Sequence, residues 1–262
     1  MRWRIWLLLG VVAAIATTVF LFPAIPQSEA YHHFADTRAF GGVPNAFDVM
    51  SNALFLVVGL LGMRFVLRLP GDSSASSFLD PRERWPYLVF FVGVAFTAFG
   101  SAYYHAHPDD ARLLWDRLPM TLGFMSLLAA TLNERIGAKI GSLALVPLLM
   151  FGIVSVAYWR VTQSQGRGDL RLYVIAQFGS LAVLLLLVAL FSPRYTRGSD
   201  LIVALGIYAV AKGFEAVDRN VFDLGGVVSG HTLKHIAAAL SAYWVLRMLK
   251  LRSPVARAAH SS

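Results

Sequence analysis

Long apolar runs separated by short polar stretches dominate this chain, and their lengths predict helices that cross a bilayer. Ile5 to Phe22, Trp85 to Ala106, Leu118 to Asn133, Ile140 to Trp159 and Leu172 to Pro193 each approach or reach the ~20 residues that a span needs. Ala46 to Met63 carries only Asp48 near its edge, and Leu201 to Ala211 is short but extends past Lys212 towards Val217. Leu224 to Leu246 is apolar apart from His231, Lys234 and His235. The pattern predicts eight spans, or seven if the first is cleaved, and an all-α membrane protein.

Basic residues set an expected direction. Arg2 and Arg4 precede the first run and put the N-terminus in the cytoplasm. Threading eight spans from there leaves Arg64, Arg68, Arg82, Arg84, Arg135, Lys139, Arg194 and Arg197 on cytoplasmic loops, with Arg247, Lys250, Arg252 and Arg257 at a cytoplasmic C-terminus. That tail suits anionic lipid. The opposite loops hold most of the acids, including Glu29, Asp36, Asp109, Asp110, Asp116, Asp169, Asp218 and Asp223. The first run also reads as a signal peptide, because Ser28-Glu29-Ala30 supplies a small-residue cleavage pattern; its length favours an uncleaved anchor. Three stretches follow: 1–30, an anchor or signal segment; 31–252, the membrane domain; and 253–262, a flexible cytoplasmic tail. Gly71 to Ser77 is the one low-complexity loop, and no internal repeat occurs.

Composition narrows the chemistry. The 262 residues are 57% hydrophobic and 15% charged, too greasy for an ordinary soluble domain. There is no cysteine, so any metal site must use His, Asp, Glu or Asn. The net charge of +8 sits mainly between spans, which positive-inside bias explains, and no nucleic-acid signature is present.

Three histidines inside greasy segments carry the functional expectation. Ionisable groups within a span are costly and mark function by default. His231 and His235 are spaced i, i+4 and share one helix face, while His105 ends another span at the same outer depth. Three such ligands leave one position of a tetrahedral zinc open for water, the catalytic pattern. Ser101 lies one turn before His105, and Asp116 opens the next span. A metal, a water, a hydroxyl to stabilise an oxyanion and a carboxylate to carry the proton suffice to hydrolyse an amide. The bland alternative is interhelical hydrogen bonding by each residue separately. His32 and His33 precede the core and would bind metal only adventitiously; His107 is expected to face water.

These residues also carry a resemblance. Gly100-Ser101-Ala102-Tyr103-Tyr104-His105, then Leu113-Leu114-Trp115-Asp116-Arg117-Leu118-Pro119-Met120, then Gly230-His231-Thr232-Leu233-Lys234-His235, resembles the alkaline ceramidase pattern, and Ser51-Asn52 is similar to its first-helix pair. The motifs spread from about residue 36 to 240 and so cover nearly the whole chain. The wider superfamily includes adiponectin and progestin receptors and haemolysin-III-like proteins. The resemblance implies a seven-transmembrane-helix bundle with an additional N-terminal hydrophobic segment. It implies His105, His231 and His235 as zinc ligands, Ser101 as the oxyanion-side hydroxyl and Asp116 as the proton-handling carboxylate. The implied activity is hydrolysis of a ceramide-like N-acyl lipid to a fatty acid and a sphingoid amine.

Two departures from that pattern matter. The family's acidic cluster, which resembles a calcium site, survives clearly only in Asp36; Asn45 stands where the family has a glutamate. Asp36, Asn45 and Asp48 remain candidate Ca2+ oxygens, although capping the helix that starts near Ala46 is the competing job for Asn45. Lys234 occupies a usually uncharged position. Its ammonium is expected to snorkel to the interface, and the sharper alternative is contact with an anionic lipid headgroup or carboxylate. Lys212 and Glu215 form an i, i+3 pair that is expected to neutralise locally. The expected partner is a membrane lipid substrate, the expected location a plasma membrane with the site outward, and oligomeric state is unreadable. A zinc-stabilised lipid receptor without turnover, and a His/Asp proton pathway, are the alternative functions.

Overall fold

The computed structural model describes residues 2–68 and 77–255, and within them the chain is helical with no β-strand. Helix α1 (Arg2–Leu21) is followed by α2 (Ala46–Ser51) and α3 (Ala53–Arg68), which run on as one rod interrupted at Asn52. Then come α4 (Arg84–Ala106), α5 (Asp110–Arg135) and α6 (Ala138–Ser164). The next rod joins α7 (Arg171–Val174) to α8 (Ser180–Leu190) through a π-helical turn, Ile175–Gly179. Helices α9 (Asp200–Ala216), α10 (Asp218–Gly225) and α11 (Gly230–Leu251) complete the chain. The Gly71 to Ser77 loop, except Ser77, and Arg257 lie outside the described residues. Residues 253–255 are tied down, because Thr196 N donates to Ser253 O and Val255 N donates to Arg194 O.

Five segments are long and apolar enough to cross a membrane: Arg2–Leu21, Ala46–Arg68, Pro81–Ala106, Ala138–Ser164 and Arg171–Leu190. The apolar runs predicted more. The three rods that fall short are α5, α9 and α11. Helix α5 buries Asp116, Arg117, Asn133, Glu134 and Arg135, α9 has only 17 residues, and α11 buries two histidines. A rod that carries the polar groups of a bundle interior loses apolar character for that reason.

Helix boundaries follow local chemistry. Asp109 N-caps α5 by accepting from Arg112 N, so this helix begins well before the apolar run at Leu118. The predicted run from Leu224 is split: α10 stops at Gly226, which adopts φ +64°, and α11 starts after Ser229, whose hydroxyl accepts from Thr232 N.

The main apolar core joins α3, α4, α5, α8, α9 and α11, with Val66, Phe91, Leu184, Leu187, Leu246 and Leu249 fully enclosed. Helices α3 and α4 meet closely at Gly59, where an added Cβ would lie 2.6 Å from Ala95 N; small residues let membrane helices approach in this way. A smaller cluster of Phe34, Tyr104, Leu113, Val156, Trp159 and Tyr173 surrounds the end that holds His105. The opposite end is locked by paired charges: Arg252 with Glu134, and Arg194 with Glu83, which also accepts from the Tyr195 hydroxyl.

Candidate metal centre and lipid cavity

His105 ends α4, and His231 and His235 open α11, one turn apart on the same face. All three are buried, and one ring nitrogen from each lies within 4.8 Å of the others. Among the described residues they form a group able to hold a metal ion. Phe34, from the segment before the core helices, packs edge-on against both His105 and His231, with ring centroids 4.6 Å away in each case. It closes the site on that side.

The hydrogen bonds around the imidazoles test whether they suit a metal. Ser51 Oγ donates its hydrogen to the Asp48 carbonyl at 3.0 Å, so towards His235 Nδ1, 2.8 Å away, it must accept. His235 therefore carries its hydrogen on Nδ1, and its Nε2 keeps a free lone pair. That Nε2 is buried without a hydrogen-bond partner among the described residues, which costs free energy unless something binds it. His105 Nε2 and His231 Nε2 stand 3.3 Å apart. Two nitrogens bound ~2.0–2.1 Å from a tetrahedral ion would stand ~3.3–3.4 Å apart. The donor set fits a nitrogen-bound metal.

Backbone anchoring fixes where the two α11 histidines point. The first N–H groups of a helix have no partner inside it. Here Ser229 Oγ accepts from Thr232 N, and Asp218 Oδ1 accepts from His231 N at 2.7 Å. Asp48, fully buried on α2, accepts from Thr232 Oγ1 at 2.6 Å and from Ser229 Oγ at 3.2 Å. One carboxylate thus clamps the start of α11 to α2.

Asp36, Asn45 and Asp48 do not share partners. Asp36 is held by Arg38, through Nε at 2.8 Å and Nη2 at 2.7 Å, and this ion pair keeps its carboxyl below the usual carboxylate range. The helix does start at Ala46, but Asn45 makes no side-chain cap. Its backbone is left-handed at φ 48°, whereas a capping side chain needs an extended backbone. Its amide donates instead to the His105 carbonyl at 2.8 Å, fixing the end of α4.

Ser101 and Asp116 both line a cavity of about 410 Å³ that also touches His235. Most hydroxyls in these helices bond back to their own backbone; Thr97, Ser126, Thr131 and Ser155 all do. Ser101, buried in the same way, has no such bond among the described residues and faces the cavity. The Asp116 carboxylate likewise has no ion-pair partner among the described residues. Gly100 brings them together, because its Cα approaches the α5 backbone at Trp115 and Asp116 so closely that no side chain fits between.

The cavity is polar at one end and apolar at the other. Beyond the site it is walled by residues such as Phe55, Phe90, Phe124, Leu127, Leu181 and Val245. Between Phe90 and Ser101 its α4 wall rises about 16 Å at ~1.5 Å per residue. The polar end lies beside His235 and the apolar stretch runs inwards from it.

Lys234 does not snorkel. Its Nζ turns inwards, 3.0 Å from Glu215 Oε1 and 2.9 Å from His231 Nε2. Glu215 also pairs with Lys212 as the i, i+3 spacing predicted. His32 is no loose surface group either: it bridges the Tyr104 hydroxyl at 2.9 Å and Asp110 at 3.1 Å. The sequence pointed to Ser51 only through its motif and to Asn45 only as a calcium oxygen or helix cap, and it gave no site role to Phe34, Asp218 or Arg117. Phe34, Asp218 and Arg117 have no sequence signal beyond being polar or aromatic near a span end. No protein-family model matches the chain, and no curated protein matches it.

Proposed function

We propose that the protein is a zinc-dependent intramembrane hydrolase that cleaves the amide of a ceramide-like N-acyl lipid, releasing a fatty acid and an amine. The observation that carries the proposal is the trio of buried imidazoles set at the polar end of a chain-shaped cavity. On this reading His105, His231 and His235 are the ligands, and imidazole donors with one open position suit zinc. Seven of the rods form the catalytic bundle and α1 is an added segment. The site faces the exterior side of a plasma membrane, where water reaches an amide held at headgroup depth.

Bound there, zinc would polarise the amide carbonyl and lower the pKa of water. The protein's own groups do the rest. The apolar wall from Phe90 to Val245 holds the acyl chain and so positions the amide. Ser101 Oγ, free of backbone bonds among the described residues, donates to the carbonyl oxygen as negative charge develops on it. Asp116 takes the proton from the attacking water and returns it to the amine as the C–N bond breaks. On this reading Ser101 is not the nucleophile, since the histidine that lines the cavity with it, His235, is held by the metal.

Metal content and fatty-acid release measured on one purified sample, beside a His231→Ala/His235→Ala variant, test the reading. Stoichiometric zinc with amide cleavage, both lost in the variant, is the expected result. Zinc without cleavage across a panel of N-acyl lipids would favour a zinc-stabilised receptor, and absence of zinc would refute both.

A further inference from the structure

The polar end of the cavity gathers more cations than carboxylates. Three cations line it, Arg117, Lys212 and Lys234, against two carboxylates, Asp116 and Glu215. Both lysines pair with the same carboxylate, Glu215. Arg117 has no acidic partner among the described residues. It donates from Nη2 to the neutral Gln27 Oε1 and has the neutral Tyr31 hydroxyl beside it, while Nε and Nη1 have no partner among the described residues. Its planar faces are covered by Trp159 and Tyr173, with ring centroids 4.3 and 4.7 Å from the guanidinium carbon. Aromatic faces stabilise a cation but leave its in-plane N–H groups unsatisfied.

Among the described residues the other two buried arginines, Arg135 and Arg252, and several half-buried ones have oxygen partners. Arg252 has Glu134, Arg171 has Asp169, Arg194 has Glu83 and Arg197 has Asp200. Arg135, without an acid, donates to the carbonyls of Phe191 and Gly198. Arg117 is only 4% exposed, and a buried guanidinium with unused donors is expensive unless an acceptor arrives. Metal binding would sharpen the excess. It takes the His231 Nε2 lone pair that Lys234 now contacts, and leaves both lysines to one carboxylate beside a new positive charge.

We infer that the cavity is built for an anionic amphiphile, an N-acyl lipid whose amine portion carries a carboxylate or a phosphate, with the anion seated among Arg117, Lys212 and Lys234. This rests on the amide-hydrolase reading and gives it a substrate class. Headgroup charge selects the lipid, and the apolar wall accepts its chain. Arginine suits either anion because its planar fork matches both.

Equilibrium binding to the purified full-length protein tests the inference without requiring turnover. The probes share one chain: N-dodecanoylglycine, N-dodecanoylethanolamine and N-dodecanoylethanolamine phosphate. Binding is measured to the wild type and to the His231→Ala/His235→Ala variant, so that direct capture of an anion by metal is separated from capture by the cations. At least one anionic probe should bind about tenfold tighter than the neutral one, as charge-assisted hydrogen bonds predict, with or without the metal ligands. The stronger anion identifies the headgroup. The preference should shrink in Arg117→Gln and in Lys212→Met, two separate variants in case one misfolds. Equal affinity for neutral and anionic probes would overturn the inference, as would a preference that vanishes with the metal ligands. Charge-selective binding with no amide cleavage would leave the inference standing and remove the hydrolase reading instead.

Discussion

Gly100→Ala should separate the two halves of the candidate site without emptying it of metal. A Cβ at this position would lie 2.0 Å from the Trp115 carbonyl oxygen, 2.8 Å from its carbon and 3.4 Å from Asp116 N. A carbon needs about 3.3 Å from such an oxygen, so the α4 and α5 backbones must part by roughly 1.3 Å. Helix α4 is held on its other side by α3, where Gly59 already lets the backbones touch. The strain therefore falls on α5 and on Asp116. Overpacking of this kind costs about 1–3 kcal/mol, against about 1 kcal/mol gained from replacing glycine in a helix, so stability should fall by no more than ~2 kcal/mol. A ~1 Å displacement of a reacting group costs on the order of 100-fold in rate. The three histidines lie on α4 and α11, so zinc should stay bound while fatty-acid release falls by about that factor. Zinc content, thermal unfolding in detergent and initial rates on one preparation decide it. Gly206→Ala, where nothing lies within 4 Å of the added methyl, is the control and should keep full rate. An undiminished rate in Gly100→Ala would refute the idea that this contact positions Asp116.

Other consequences can be measured separately. Ser51→Ala removes one acceptor of the His235 Nδ1–H, leaving the Asp48 carbonyl, and loosens the ring, so metal affinity in a chelator competition should drop by about 10-fold; unchanged affinity would show that the Asp48 carbonyl alone orients it. Asp169 is held down to about 2 by its hydrogen bonds from Arg171, a pair that ties the loop after α6 to the Phe22 carbonyl through the same arginine. Because the folded pKa lies below the unfolded value of about 3.9, the pair's stabilisation is complete above pH ~4 and is lost as pH falls through about 2. Asp169→Asn should cost about 1 kcal/mol at neutral pH, after allowance for the partly exposed arginine, and the difference from wild type should vanish near pH ~2. A constant gap across that range would rule out the ion pair as its source.

Much of the architecture was legible in one dimension. The apolar runs located the rods because spanning length and helix periodicity are properties of consecutive residues, and Trp85 to Ala106 corresponds to α4 almost residue for residue. The i, i+4 spacing of His231 and His235 predicted a shared face for the same reason. Local signals failed where polar residues interrupt a rod: α5 starts at Asp110 because Asp109 caps it, and α10 is a separate amphipathic helix, most of it in the stretch left between the last two apolar runs.

The sequence by itself determined that the chain is helical, apolar enough to enter a membrane, free of cysteine, and equipped with two histidines on one helix face. Only the tertiary structure decided what meets what. That His105 comes within 3.3 Å of His231 depends on how α4 and α11 are rotated about their axes. That Ser51 fixes the tautomer of His235, that Asn45 grips the end of α4 rather than capping α2, and that Lys234 turns inwards depend on which neighbours lie across each interface. Periodicity assigns a residue to a face of its own helix. The depth, rotation and partner of that face are set by close packing between helices, which here turns on one glycine at position 100 and a buried carboxylate at position 48.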